Sequence, residues 1–129
     1  TIGKELQGPE DDRENPSGLN KPLSELALDD VFWGMETARP AEYVAEDAGI
    51  RVRLPTSSHF THMVVYTPKG RPFFCLENQT CSTDAHNLHA KGLEKEAHLL
   101  VVEPGKTLGG EVCIRPSRIA PAADTAPGK

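Results

Sequence analysis

The sequence has no long apolar run. No stretch approaches the ~18 consecutive apolar residues of a membrane-spanning helix, and the opening "TIGKELQGPEDD" lacks the apolar centre of a secretory signal. Positive charge is scarce as well: 14 Lys and Arg stand against 19 Asp and Glu, for a formal net charge of -5. Such a chain has no electrostatic attraction to nucleic acid or to an anionic membrane surface, and neither is expected as a partner. Aromatic residues make up 5% of the chain and hydrophobic residues 37%, whereas glycine and proline each number 11. That balance disfavours long helices and favours many turns. Only three cysteines are present. An odd number without a tight framework points to free thiols in a reducing, cytoplasmic setting.

What is present suits one domain. A chain of 129 residues buries a single core and hides roughly two-thirds of its unfolded surface. Thr1 to Asn20 is polar and carries Gly3, Gly8, Pro9, Pro16 and Gly18, so it reads as a loop or an extended arm. From Leu23 to Met35 the pattern predicts a short helical turn followed by a strand over Leu28–Met35. "AEYVAED" and "AGIRVRLP" predict a hairpin with its turn at Asp47-Ala48-Gly49; Ile50, Val52 and Leu54 alternate there with Arg51 and Arg53. "HMVVYTP" (His62–Pro68) and "FFCLE" (Phe73–Glu77) predict two further strands around the turn "KGRP". Asn78 to Lys91 reads as a long loop, the kind that is usually functional or disordered. "AHLLVVEP" and "GGEVCIRP" predict a last strand pair joined across Pro104-Gly105-Lys106. The domain therefore spans residues 1–116, and 117–129, rich in Ala and Pro, is expected to be a disordered tail. The fold class is all-β and antiparallel, expected to be a sandwich. An open antiparallel sheet leaves unpaired edges, and the opening arm has no local partner, which hints at further polypeptide upstream.

The chemistry gathers in "FFCLENQTCSTDAHNLH" (Phe73–His89), and three readings compete. Cys75, Cys81, His86 and His89 are zinc-type ligands, but their spacing has no Cys-x-x-Cys, and no metal is expected. Cys75, on a strand, suits a small buried hydrophobe. Cys81 with His86 has the residue types of a nucleophilic pair, though nothing in the spacing enforces their meeting. Glu77, at the strand's end, is placed where a rigid sheet could hold a catalytic carboxylate; the bland alternative is a solvated strand end.

The order of motifs resembles the C-terminal half of the aldose 1-epimerases, the galactose mutarotase family. A "YTP" strand end is followed by a strand ending in glutamate, and then by Glu77, Gln79, Asp84, Ala85 and Asn87 in the family's Glu-x-Gln-x-x-x-x-Asp-Ala-x-Asn pattern. "LVVEPGKTL" is similar to the family's Pro-Gly-Glu turn, with Lys106 in place of the acid, and "LDDVF" to its Asp-x-x-Phe motif through Asp29 and Phe32. The resemblance covers about Ile2 to Arg115. It implies half of a large antiparallel β-sandwich with a sugar cleft, a hexose as ligand, and the N-terminal half or another copy of the chain as partner.

The resemblance also implies roles. Mutarotation needs a base that takes the proton of the C1 hydroxyl and an acid that protonates the ring oxygen. The ring opens to the aldehyde, C1–C2 rotates, and the ring closes on the other face, with no cofactor because no oxidation state changes. Glu77 would be the general base, and Asp29 would hold sugar hydroxyls in a substrate-binding role. Phe73 and Phe74 would partly bury Glu77 and make it a stronger base. The acid belongs to the absent half, since none of His59, His62, His86, His89 and His98 matches the motif of the family's catalytic histidine. Gln79, Asp84 and Asn87 suit bracing of the loop, and Trp33 suits core packing, with stacking on a sugar as the alternative. A non-catalytic carbohydrate-binding module of the same fold is the second reading. A relative acting on a phosphorylated hexose ranks third, because Arg51, Arg53 and Arg71 are scattered.

Overall fold

Short β-rich runs separated by Gly and Pro become strands in the computed structural model, which describes Leu6–Gln7 and residues 22–119. The strands are β1 (Leu6–Gln7), β2 (Asp29–Trp33), β3 (Ala41–Ala45), β4 (Ile50–Leu54), β5 (His62–Tyr66), β6 (Cys75–Gln79) and β7 (Arg115–Arg118). One sheet has the order β1–β2–β5–β6 and the other β3–β4–β7. Every pairing is antiparallel except the short parallel contact of β1 with β2. Two short helices, α1 (Ala85–Ala90) and α2 (Glu94–Ala97), follow β6. Among the described residues the fold is thus all-β in character, with little helix.

The β3–β4 hairpin falls where its alternation places it, and Gly49, at φ +63°, supplies the left-handed residue that closes the turn. On its outer face Glu42 bridges Arg51 at 3.1 Å and Arg53 at 3.6 Å. Three expectations change. First, the strand expected over Phe73–Glu77 is Cys75–Gln79, so Glu77 is the middle residue of β6 and not its end. Phe73 and Phe74 stay off the ladder because their rings pack against Tyr66 (centroids 6.3 Å apart) and Tyr43 (4.6 Å). Second, the expected loop 78–91 contains α1, whose Ala85 and Leu88, three residues apart, are buried together with Ala97 of α2. Third, the last strand pair is not formed as read. Ala97 belongs to α2, Val101 and Ile114 are 73% and 72% exposed, and Val112 makes only an isolated bridge to Thr56. The final strand, β7, begins at Arg115 and takes in Ser117 and Arg118 from the expected tail; residues 120–129 lie outside the described residues.

The main core lies on one face of the first sheet. Leu28, Phe32, Met63 and Val65 are buried there, with Leu76 and Ala41 packed against them. Ala41 belongs to β3, so the second sheet contributes to this core, and the Tyr43–Phe74 contact ties the two together at its margin. Phe32 has no exposed surface. Phe32→Ala is expected to lower unfolding free energy by about 3–5 kcal/mol, against a total of about 5–15 kcal/mol for a domain. Val44→Ala, at a side chain 36% exposed, is expected to change it by less than about 0.5 kcal/mol. Urea unfolding of both variants checks this, and equal losses would place the core elsewhere.

Candidate functional site

The face of the first sheet opposite the core is assembled by register. Residues directly opposed across antiparallel strands project to the same side, and the side alternates along each strand. The rows Asp29–Tyr66–Cys75, Val31–Val64–Glu77 and Trp33–His62–Gln79 therefore share one face. Phe32, Met63, Val65 and Leu76 occupy the other. This separates the two members of the Asp-x-x-Phe motif: three residues apart on a strand, Asp29 projects outward while Phe32 fills the core. Asp29 and Glu77 are both exposed. They stand two strands apart and two residues out of step, about 12 Å between Cα atoms from strand and residue spacing. Tyr66 on β5 stands between them, opposite Asp29 and diagonal to Glu77, the diagonal being ~7–8 Å.

Both carboxylates are carried by firmly held backbone. Beside Asp29, the buried Thr67 clamps Leu28 twice: the Leu28 N–H donates to Thr67 Oγ1 at 2.7 Å, and the Thr67 N–H donates to the Leu28 carbonyl at 2.8 Å. Glu77 sits mid-ladder on β6, opposite Val64, and β6 is the last strand of its sheet. The expected burial of Glu77 by Phe73 and Phe74 is absent: Phe74 packs on Tyr43, Phe73 packs on Tyr66, and Glu77 stays exposed.

The far end of the same face is closed by the helical segment. His62 is 1% exposed. Its Nε2 lies 2.7 Å from the Glu96 carbonyl, which can only accept, so Nε2 carries the proton. Nδ1 is then left to accept from the Thr61 hydroxyl at 2.9 Å. His98 ends α2 in the left-handed region, at φ 46°, and its Nδ1 donates to the Thr80 carbonyl at 2.6 Å. The Lys95 ammonium lies 5.3 Å from the centroid of the Trp33 ring. Trp33 is thus used between sheet and helix. Burial holds His62 below the ordinary imidazole value of 6.5; the bond to Glu96 opposes this, and the neighbouring His98, 6.3 Å away ring to ring, adds to it.

The remaining candidates disperse. Asn87 Nδ2 donates to Asp84 Oδ1 at 2.6 Å, bracing the entrance to α1. Gln79 stands opposite His62 in register and lines an open groove around residues 78–83. Cys81 packs with Ala85, Leu88 and Ala97, while His86 and His89 are exposed. Cys75, Cys81 and Cys113 are free, and no group of three metal-ligating side chains gathers among the described residues. Arg51 and Arg53 serve Glu42 on the second sheet, and Arg71 lies in the β5–β6 connection. Two open grooves, of about 320 and 420 Å³, lie at the 67–74 connection and around residues 78–83, and neither is lined by Asp29 or Glu77. No helix among the described residues is long and apolar enough to cross a membrane. Sequence reasoning named His62 only to deny it the acid role and Tyr66 only within the "YTP" strand end: their parity with Asp29 and Glu77 exists only once the register of β5 is known.

No family model, curated protein or solved structure matches the chain.

The state of His62 sets a pH dependence. Its folded value lies below 6.5, so the unfolded chain binds more protons as pH falls through that value. Stability contributed by neutral His62 is complete above about pH 6.5 and declines below it until the folded value is passed. Urea midpoints measured from pH 8 to pH 5 are expected to fall at the acid end, and less steeply in His62→Gln. Equal slopes would mean that another group carries the effect.

Proposed function

We propose that the chain carries the base side of an aldose 1-epimerase site, built on half of a mutarotase-like β-sandwich. The observation that carries this reading is the pairing of Asp29 and Glu77 as exposed carboxylates on one sheet face, with the core on the other. These are the two residues to which the motif resemblance assigns sugar binding and proton abstraction. Glu77 takes the proton of the C1 hydroxyl as the ring oxygen receives one from an acid, the ring opens, C1–C2 rotates, and the proton transfers reverse on closure. Asp29 accepts hydrogen bonds from ring hydroxyls and fixes the sugar's orientation. The reaction calls for no metal or redox group. The free thiols suit a reducing cytoplasm.

Two features call for polypeptide beyond the described residues. Asp29 and Glu77 are exposed, although Val31 on the same face is buried, and a second wall over them would exclude water and strengthen each contact. The acid is also missing from this face: its one histidine, His62, is buried with both ring nitrogens engaged. That same observation favours the second reading, a carbohydrate-binding module that holds a hexose without converting it.

Polarimetry with a hexose separates the two. The chain alone is expected to convert anomers poorly, and a supplied β-rich first half bearing a histidine is expected to raise the rate. In that assembly Glu77→Gln should cost ~10²–10⁴ in rate while leaving sugar binding in place, because the amide keeps the shape but cannot take the proton. Asp29→Asn should weaken binding as well as turnover. Near-normal turnover in Glu77→Gln would place the base elsewhere; sugar binding without turnover in any assembly would establish the binding module.

A further inference from the structure

The chain has few aromatic rings, seven in all: four Phe, two Tyr and one Trp. Five of them have a structural use. Phe32 fills the core, Tyr43 and Phe74 pack together, Trp33 lies beneath Lys95, and Phe60 closes on Gly110, where an added Cβ would meet its ring at 2.9 Å. The remaining two, Tyr66 and Phe73, pair with each other at 6.3 Å with their planes tilted by 55°. Phe73 is 53% exposed, and Tyr66 is half-buried. A lone exposed phenylalanine needs no explanation. This one meets, at a tilt, a tyrosine that register places between two exposed carboxylates, at the end of the face that the helices leave open.

We propose that Tyr66 and Phe73 form an aromatic subsite that takes the C–H-bearing face of a pyranose, next to the carboxylates of Asp29 and Glu77. The proposal rests on reading this face as a sugar site and gives a role to two residues, Tyr66 and Phe73, to which the motif resemblance assigns none. A pyranose has two kinds of surface: hydroxyls at its rim and a patch of C–H groups on one side. Carboxylates recognise the first and cannot recognise the second. An aromatic ring face carries partial negative charge and apolar area, which suit polarised C–H groups. Asp29 and Glu77 thus hold the rim while the ring pair receives the patch, and the pair selects cyclic sugars over acyclic polyols with the same hydroxyls.

Methyl β-D-galactoside is the probe, because its blocked anomeric centre cannot open and a titration reads binding alone. Chemical-shift titration of the 129-residue chain is expected to show millimolar binding of this glycoside and none of sorbitol. Phe73→Ala should weaken binding roughly 3–10-fold, Phe73→Tyr should restore it, and Tyr66→Phe should keep it. Phe73 is half-exposed, so an unchanged urea midpoint will show that Phe73→Ala is folded. Unchanged affinity in Phe73→Ala, with binding weakened by Asp29→Asn, would overturn the aromatic subsite and leave the sugar reading standing. Binding of sorbitol equal to that of the glycoside would overturn it as well. No binding of the glycoside by the chain would overturn both.

Discussion

The arrangement of the candidate site depends on the register of β5 between β2 and β6. Met63 and Val65 sink into the core, and this obliges His62, Val64 and Tyr66 to project to the other side. The same constraint lifts Asp29 on one neighbour and Glu77 on the other out of the core side together. A slip of β5 by one residue would turn Met63 and Val65 out to the face of the carboxylates and bring His62, Val64 and Tyr66 to the core side, at a cost in lost apolar burial of roughly 1.5–3 kcal/mol for each large side chain. The hydrophobic core therefore positions the polar site through the period of the backbone, without touching it.

The two ends of this face are treated differently. At one end His62 and Trp33 are roofed by α2 and the turn after it, held by bonds from His62 to Glu96 and from His98 to Thr80. His98 adopts a left-handed backbone that non-glycine residues usually avoid. The strain has a visible return, since His98 at this helix end has its ring bonded to the carbonyl of Thr80, just past β6. At the other end the Thr67–Leu28 clamp fixes the backbone but leaves Asp29, Glu77 and Phe73 in solvent. One end of the face is therefore roofed and the other is left to the solvent.

An open carboxylate face also limits what it can do alone. Groups in water interact weakly, and a proton shuttle works best where the donor and acceptor flank a reacting atom with water kept out. Val101 and Ile114, nearly three-quarters exposed, and Val102 and Val112, about half exposed, show further apolar surface outside the two sheets.

Much of this was legible in residues 41–79. The β3–β4 hairpin follows from alternation of Ile50, Val52 and Leu54 with two arginines and from Gly49 at the turn, all local features. The scarcity of helix and the all-β class follow from composition and from that alternation. Asp29 and Glu77 were legible as candidates by residue type and motif order, but their common face was not, because it arises from the register of β5 against both β2 and β6, and the β2–β5 partners are about 30 to 37 residues apart in sequence. Where β6 begins was decided by packing: the rings of Phe73 and Phe74 found Tyr66 and Tyr43, and the strand started two residues later than its apolar pattern suggests. The same is true of "AHLLVV", whose β-prone residues form no strand because Ala97 is drawn into the small helical core with Ala85 and Leu88. Local period fixes which residues alternate along a strand; only tertiary contact decides which strands they meet and which side is left to the solvent.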